Sequence, residues 1–157
     1  MGLVRLLAPL VVWLLDLTSG VAKPTRKELI APLADQSYGD HECGCSFDLV
    51  GQKRDGRPLK VFVVDEGEEK GRVNIDGKDV EVQRVGKLDT SRDKLGNRFT
   101  ERWAGDGLSL EIDYLVTFTC DGYHGDGDCE IVSYRATIHA KGGDRRQTVK
   151  VKGDCGC

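Results

Sequence analysis

Residues 107–140 decide the fold of this chain, and they read GLSLEIDYLVTFTC, DGYHGDGD and CEIVSYRATIHA in turn. Apolar side chains fall on alternate positions in the first and last of these segments, which is the pattern of a strand with one face on a core. The segments therefore predict a long β-hairpin with an eight-residue connection. Its inward side chains are Leu110, Ile112, Tyr114, Val116 and Phe118 in one arm and Val132, Tyr134, Ala136 and Ile138 in the other.

Cys120 and Cys129 stand at the two ends of the connection. Direct pairing of the cysteines and burial of the apolar side chains favour different registers of the hairpin. Direct pairing of the two cysteines would put Val116 opposite a serine, whereas a slip of one residue puts it opposite Tyr134. Because a one-residue slip moves every side chain to the other face, burial is expected to decide the register. A β-bulge near residues 129–131 is predicted, since it would allow the disulfide as well.

Two stretches before this hairpin also predict strands. Residues 59–65, LKVFVVD, form a short apolar run that is typical of a buried strand. Further on, Asp76-Gly77 is a residue pair that favours a type I′ hairpin turn, and it predicts Val73 opposite Val80.

The segments that flank the long hairpin follow the same pattern. A tight turn is predicted within 104–107, and it sets Trp103 opposite Leu108. In the last strand Val149 and Val151 alternate with basic and polar residues. About eight short strands separated by Gly and Asp turns predict an all-β fold, either a small antiparallel β-barrel or a sandwich.

Residues 1–22 predict a signal peptide. Arg5 precedes an apolar run of ten residues, 6–15, which is too short to cross a bilayer, and small residues at 20–22 suit cleavage. An uncleaved membrane anchor is the alternative. We expect the mature chain to have no membrane span and to be secreted or periplasmic.

The mature chain is predicted to have two parts. Residues 23–42 are polar and carry two prolines, which predicts a linker or docking arm rather than part of the core. A single helical turn is conceivable at Leu29 and Ile30. Residues 43–157 predict one disulfide-stapled β domain, large enough to fold around a single core.

All six cysteines follow the predicted signal peptide, and an even count in an exported chain predicts three disulfides. Cys-Gly-Cys occurs at 43–45, before the first strand, and again at 155–157, after the last. If these two strands pair antiparallel, the motifs face each other and Leu49 lies opposite Val151. Crossed pairing and bridges within each motif are the alternatives. The predicted disulfides are Cys120–Cys129, Cys45–Cys155 and Cys43–Cys157.

The chain carries a net charge of −3, so nucleic acid is not an expected partner. If the first and last strands are neighbours, basic residues of both come together at one edge while the acidic connection lies elsewhere. The molecule is then predicted to be bipolar. The residues of the basic edge are Lys53, Arg54, Arg57, Lys150 and Lys152.

The connection between the two central cysteines is the predicted binding site. Loops on a rigid scaffold carry function more often than the scaffold does, and a disulfide orders the loop before binding. Its aromatic tip could anchor in a partner, while its carboxylates would steer it toward a basic one. A plain solvated turn is the alternative. The candidate residues are Asp121, Tyr123, His124, Asp126, Asp128 and Glu130.

Two metal sites are conceivable. The four carboxylates of the same connection, at 121, 126, 128 and 130, could gather calcium, although their spacing does not match an EF-hand. His41 and the neighbouring cysteines could hold zinc or copper, but an oxidising compartment favours disulfides instead. Neither a metal nor another cofactor is therefore expected.

No nucleophile, zinc-hydrolase or phosphate-loop motif is present, so the sequence does not support an enzyme. In architecture alone the chain resembles the periplasmic lysozyme inhibitors, which are also small bridged β-barrels. The expected function is that of a monomeric, non-enzymatic binding domain, protein-binding or inhibitory, with an extracytoplasmic protein or a cell-surface ligand as its partner. The alternatives are a calcium- or metal-binding extracytoplasmic protein and a small secreted hydrolase.

Overall fold

A computed structural model describes residues 28–38, 43–65, 67, 69–87, 94–120 and 130–156. All regular structure in this part of the chain is β-strand. The strands are β1 Ile30–Ala31, β2 Gly44–Arg54, β3 Arg57–Asp65, β4 Lys70–Ile75, β5 Lys78–Val85, β6 Arg98–Gly105, β7 Leu108–Phe118, β8 Val132–Gly142 and β9 Arg145–Gly156.

Strands β2 to β9 form a closed antiparallel barrel. Each strand pairs with the next one along the chain, and β9 pairs with β2 to complete the circle. In such an up-and-down barrel, side chains alternate between the interior and the solvent. The all-β prediction is confirmed, with a barrel rather than a sandwich, and β1 is an additional short strand beside β4.

Aromatic and aliphatic side chains fill the barrel interior. Phe62 meets Trp103 edge to face with ring centroids 5.3 Å apart, and it stacks on Phe47 at 6.0 Å. None of these three side chains is more than 1% exposed. A barrel of eight strands is just wide enough for its own side chains to fill. The interior is therefore a packed core.

The long hairpin of β7 and β8 has the register that the core requires. Val116 lies opposite Tyr134, as predicted. The irregularity falls on β7 between Val116 and Phe118, so the prediction of a bulge near residues 129–131 is wrong. The reason is burial, because Val116 is 1% exposed whereas Phe118 is 46% exposed. Beyond Val116 a register shift moves no buried side chain and costs little.

Three hairpins turn on an Asp-Gly pair, at 55–56, 76–77 and 106–107. Both residues of each pair have a positive φ, which is the signature of a type I′ turn. The twist of this turn matches the twist of the strands that it joins. At 76–77 the predicted pairing of Val73 with Val80 is confirmed.

The hairpin of β6 and β7 differs from its predicted register. Trp103 lies opposite Leu110 rather than Leu108, because the turn is Asp106-Gly107 and not the pair before it. Glycine at the second turn position adopts the left-handed backbone without a steric cost. Since the shift is an even number of residues, Trp103 and Leu108 still face the core.

The described part of the N-terminal arm, residues 28–38, contributes to the core, whereas a linker or docking arm outside the core was predicted. Leu29 and Ile30 are 3% and 2% exposed and belong to the core cluster. In place of a helical turn, the chain forms strand β1 along the end of β4. The site is open because β3 pairs only with residues 71–73 of β4, leaving residues 74–75 for β1.

Two glutamine side chains fix the arm by imitating strand pairing. Gln147 Oε1 accepts a hydrogen bond from Ile30 N at 2.7 Å, and Gln147 Nε2 donates one to Ile30 O at 3.2 Å. Gln36 makes the same two bonds with the backbone of Lys60, at 2.8 and 3.0 Å. Each amide thus satisfies a backbone N–H and a C=O that a neighbouring strand would otherwise satisfy.

Replacing Gln147 by leucine is expected to lower the free energy of unfolding by about 2 kcal/mol, since two hydrogen bonds are lost at about 1 kcal/mol each. Urea unfolding of the oxidised protein measures this difference. Gln83→Leu is the matched control, because Gln83 is exposed on the outside of β5. Equal stability of the two variants would contradict a role for Gln147 in holding the arm.

The two ends of the barrel differ in their connections. At one end, here called the turn end, every connection is a two-residue turn, and Arg145 donates to Asp76 at 2.8 Å across it. The opposite end, here called the loop end, has all the longer connections of the barrel. The turns are 55–56, 76–77, 106–107 and 143–144, and the longer connections are 66–69, 86–97 and 119–131.

Candidate functional site

A disulfide joins the first and last barrel strands at the loop end. Cys45 and Cys155 are bonded and lie opposite each other in the pairing of β2 with β9, as predicted. The same register sets Leu49 opposite Val151, so burial and bridging agree here. The bond fixes the seam that closes the barrel, and it is compatible with an oxidising compartment.

Two further cysteines of the described part, Cys43 and Cys120, are also disulfide-bonded. Their predicted partners, Cys157 and Cys129, lie outside the described residues, so these two pairings remain predictions. Cys120 Sγ accepts a hydrogen bond from Ile131 N at 3.3 Å. The end of β7 is therefore held close to the residue that precedes β8.

A buried ion pair lies inside the barrel. Arg84 on β5 and Glu101 on β6 point inward, and their side chains meet at 2.9 Å with only 8% and 9% exposure. The Arg84 guanidinium also lies 4.8 Å from the centre of the Trp103 ring. Charges so little exposed are costly unless they are paired, so this pair needs both of its members.

Sequence reasoning missed this ion pair, although the alternation carries a signal for it. Arg84 has the same strand phase as Val82, and Glu101 has the same phase as Trp103. A charged residue in the inward phase of each of two strands marks a polar position inside a core. That the two strands are neighbours, and that the charges have opposite sign, completes the signal.

Aromatic side chains surround the ion pair. Tyr114 stacks on Phe99 at 4.7 Å between ring centroids and meets Tyr134 edge to face at 5.6 Å. Burial raises the pKa of Tyr114 well above its ordinary value, and the negative charge of Glu101 raises it further. The phenol therefore stays protonated at neutral pH and donates its hydrogen bond to Glu101.

This polar cluster forms a closed floor beneath the loop end. The space between the Arg84–Glu101 pair, the two tyrosines and the Cys45–Cys155 disulfide has room for about one water molecule. Among the described residues, this space is too small to admit a ligand larger than water.

Most large apolar side chains that are exposed in the described part of the chain lie on this rim. One of them ends β5, one precedes β6, one ends β7 and one precedes β8, so they follow four neighbouring strands. The exception is Val50, in the outer half of the β2–β3 hairpin. The four rim side chains are Val85 at 55%, Leu95 at 67%, Phe118 at 46% and Ile131 at 43% exposure.

The predicted binding residues lie mostly outside the described part of the chain. Glu130 is described and exposed, one residue before Ile131. The segment it belongs to leaves β7 and enters β8 at the loop end, so its two anchors adjoin the apolar rim. The remaining candidates, Asp121, Tyr123, His124, Asp126 and Asp128, are outside the described residues, and so is His41.

Acidic residues concentrate in two of the three connections at the loop end, and the predicted bipolar molecule remains a prediction. Segments 65–69 and 121–130, which connect strands at the loop end, contain eight acidic residues and no Lys or Arg. The predicted basic edge is only partly assembled by strand pairing. β2 pairs with β9 as far as Leu49 and Val151, and Lys53 lies beyond that point.

Within the described residues, no group of three or more His, Cys, Asp or Glu side chains is placed to hold a metal ion. The calcium hypothesis concerns residues 121–130 and is not tested there. No helix in the described part is long and apolar enough to span a membrane. No family model, no curated protein and no solved structure matches this chain.

Proposed function

We propose that this chain is an exported, non-catalytic binding domain that holds a partner protein at its loop end. The observation that carries the proposal is the apolar rim, which leaves four large side chains in water on one end of a rigid barrel. Exposed apolar side chains that cluster beside polar residues are typical of interaction surfaces. The closed floor beneath them favours a macromolecular partner over a small ligand in the lumen.

The rim and the floor have complementary roles in this proposal. Phe118 and Ile131 stand at the two anchors of segment 121–130 and offer apolar area to a partner. The disulfide and the buried ion pair keep that rim in place, which lowers the ordering cost of association. Burial of such anchors supplies most of the binding energy in protein interfaces.

The charge of the loop end favours a basic partner. Eight carboxylates in two connections attract a cationic surface and accelerate its encounter with the rim, and salt weakens this attraction. Tyr123 and His124, which the sequence analysis places at the tip of the stapled connection, would add contacts to those of the rim.

The test is affinity capture from the native extracytoplasmic fraction with the oxidised protein as bait. The rim variant Phe118→Ser with Ile131→Ser is expected to bind the captured basic protein at least about tenfold more weakly, as for loss of a hot spot. The control is Val50→Ser, because Val50 is equally exposed at 53% but lies away from the loop end.

Two results would contradict the proposal. One is undiminished recovery of the captured protein by the rim variant, which would place the interface elsewhere. The other is capture of proteins without a basic surface, which would remove the role of the acidic connections. Tyr123→Ala with His124→Ala then reports separately whether the tip of the stapled connection contributes.

A further inference from the structure

Basic side chains predominate on the outer wall of β8 and β9, in one group near each end of the two strands. Along these two strands the outward positions from Arg135 to Lys141, and from Arg146 to Lys152, hold basic residues, histidine or threonine and no carboxylate. Arg146 and Lys152 are six residues apart on one strand, which corresponds to about 20 Å. We call this surface the basic stripe. Its residues are Arg135, Lys141, Arg146, Lys150 and Lys152, all of them exposed.

Strand pairing sets like charges of the stripe directly opposite each other. Arg135 is paired with Lys152, and Lys141 is paired with Arg146. Such cross-strand pairs are unfavourable for the stability of a sheet. A local arrangement that costs stability, repeated at both ends of one surface, is typical of a site selected for binding.

The carboxylates of β7 do not neutralise the stripe. On β7, Glu111 pairs with Arg102 at 3.1 Å, and Asp113 binds His139 at 3.3 Å, so both are engaged elsewhere. None of the ion pairs within the described residues includes a member of the stripe. At the loop end the stripe stops at Asp154, and Asp48 lies opposite Lys152 on β2.

A groove lies beside the turn-end half of the stripe, and an extended ligand could bind in it. The groove has a volume of about 730 Å³ and crosses the outside of β6 to β9. Ala104 and Ser109 are its small floor residues, while Lys141 and Arg146 border it on the side of the stripe. A chain molecule can therefore lie across the strands with its anionic groups against the basic residues.

We propose that the basic stripe and its groove bind a linear polymer with an anionic group on each repeat, such as a sulfated or phosphate-bearing chain. The binding is mainly electrostatic and depends on the stripe rather than on net charge, which is negative for the whole chain. This surface lies on the barrel wall, so its ligand is distinct from the proposed protein partner at the loop end, although Val85 of the rim also lines the groove.

The test is titration of the purified, oxidised protein with two probes, a heparin oligosaccharide and inorganic polyphosphate of similar length. Five basic contacts predict that the affinity falls about 100-fold as the salt concentration rises from about 50 to about 200 mM. The variant Arg146→Gln, Lys150→Gln, Lys152→Gln is expected to bind at least about tenfold more weakly at the lower salt concentration.

A matched variant separates the stripe from overall charge. Lys87→Gln, Lys94→Gln, Arg98→Gln also removes three positive charges, but from exposed positions at the loop end of β5 and β6, away from β9. It is expected to change the affinity less than about threefold, because its charges make no contact with the polymer.

Each outcome bears on the proposal. Binding of both probes supports recognition of any linear anion, and binding of heparin alone supports it for a sulfated glycan. Equal losses in the two triple variants would overturn it, as would the absence of binding to either probe at about 50 mM salt, where electrostatic binding is strong. Binding only to vesicles that contain anionic lipid would also overturn it and would assign the stripe to a membrane surface.

Discussion

Replacing Cys43, Cys45, Cys155 and Cys157 by serine is expected to lower the free energy of unfolding by about 5–6 kcal/mol, since two bridges that close nearly the same loop are lost. Cys45 and Cys155 are 110 residues apart. A bridge of this span lowers the conformational entropy of the unfolded chain, which stabilises the folded state by about 4.7 kcal/mol. In the native state the bridge also holds the seam of β2 with β9. Denaturant unfolding of the variant and the parent protein, both otherwise oxidised, measures the difference.

A second variant makes the same experiment a test of disulfide connectivity. If Cys43 is joined to Cys157, that bridge closes nearly the same loop, so Cys45→Ser with Cys155→Ser alone costs only about 1 kcal/mol, a small part of the loop-closure entropy. A loss of 4–5 kcal/mol in this two-substitution variant would mean that no second bridge closes the loop. The predicted Cys43–Cys157 pairing would then be wrong.

Strand pairing that depends on local signals could be predicted from the sequence. The Asp-Gly pair at 76–77 fixes its own hairpin, and it sets Val73 opposite Val80. The pairing of Cys45 with Cys155 follows from two constraints that agree, namely the phase of the cysteines and the burial of the apolar residues beside them. Where two candidate turn pairs overlap, at 104–107, the alternation alone does not choose between them.

The role of the arm could not be predicted, because no local pattern contains it. β2 shifts its register with β3 between Asp48 and Lys53, and β9 keeps β2 as a neighbour only as far as Leu49. This leaves a place beside β4 and Gln147 that Ile30 fills. The burial of Leu29 and Ile30, two apolar residues in a polar segment, can therefore be explained only after this open position on the barrel is known.

The candidate sites differ in how far the sequence determines them. Arg84 and Glu101 are charged residues at inward positions of their strands. The sequence alone could therefore predict a polar position inside the barrel, but not that these two side chains pair with each other. The basic stripe needs the β8–β9 register, since only that register puts Lys141 beside Arg146. The apolar rim needs the successive antiparallel pairing of β5 to β8, because its members stand at the same end of these four strands.

Gly153→Ala is expected to lower the free energy of unfolding by about 3 kcal/mol, the upper range for overpacking a core. Gly153 lies on β9 between Phe47 and Tyr134 on the neighbouring strands. A Cβ at this position would overlap the Ser46 carbonyl oxygen and lie 2.6 Å from Phe47 Cδ1. The glycine therefore gives the aromatic ring its space, as in other strands where an aromatic side chain covers a glycine.

The backbone around Gly153 cannot easily move to make room for an added methyl group. β9 is paired on both sides at Gly153, so its backbone cannot shift without breaking one of the two ladders. Gly143→Ala is the matched control, because nothing lies within 4 Å of its added Cβ and its cost is limited to the left-handed backbone, about 1 kcal/mol. Urea unfolding of both oxidised variants compares them. If Gly153→Ala proved no less stable than Gly143→Ala, the packing of Phe47 over β9 would be looser than the structure requires.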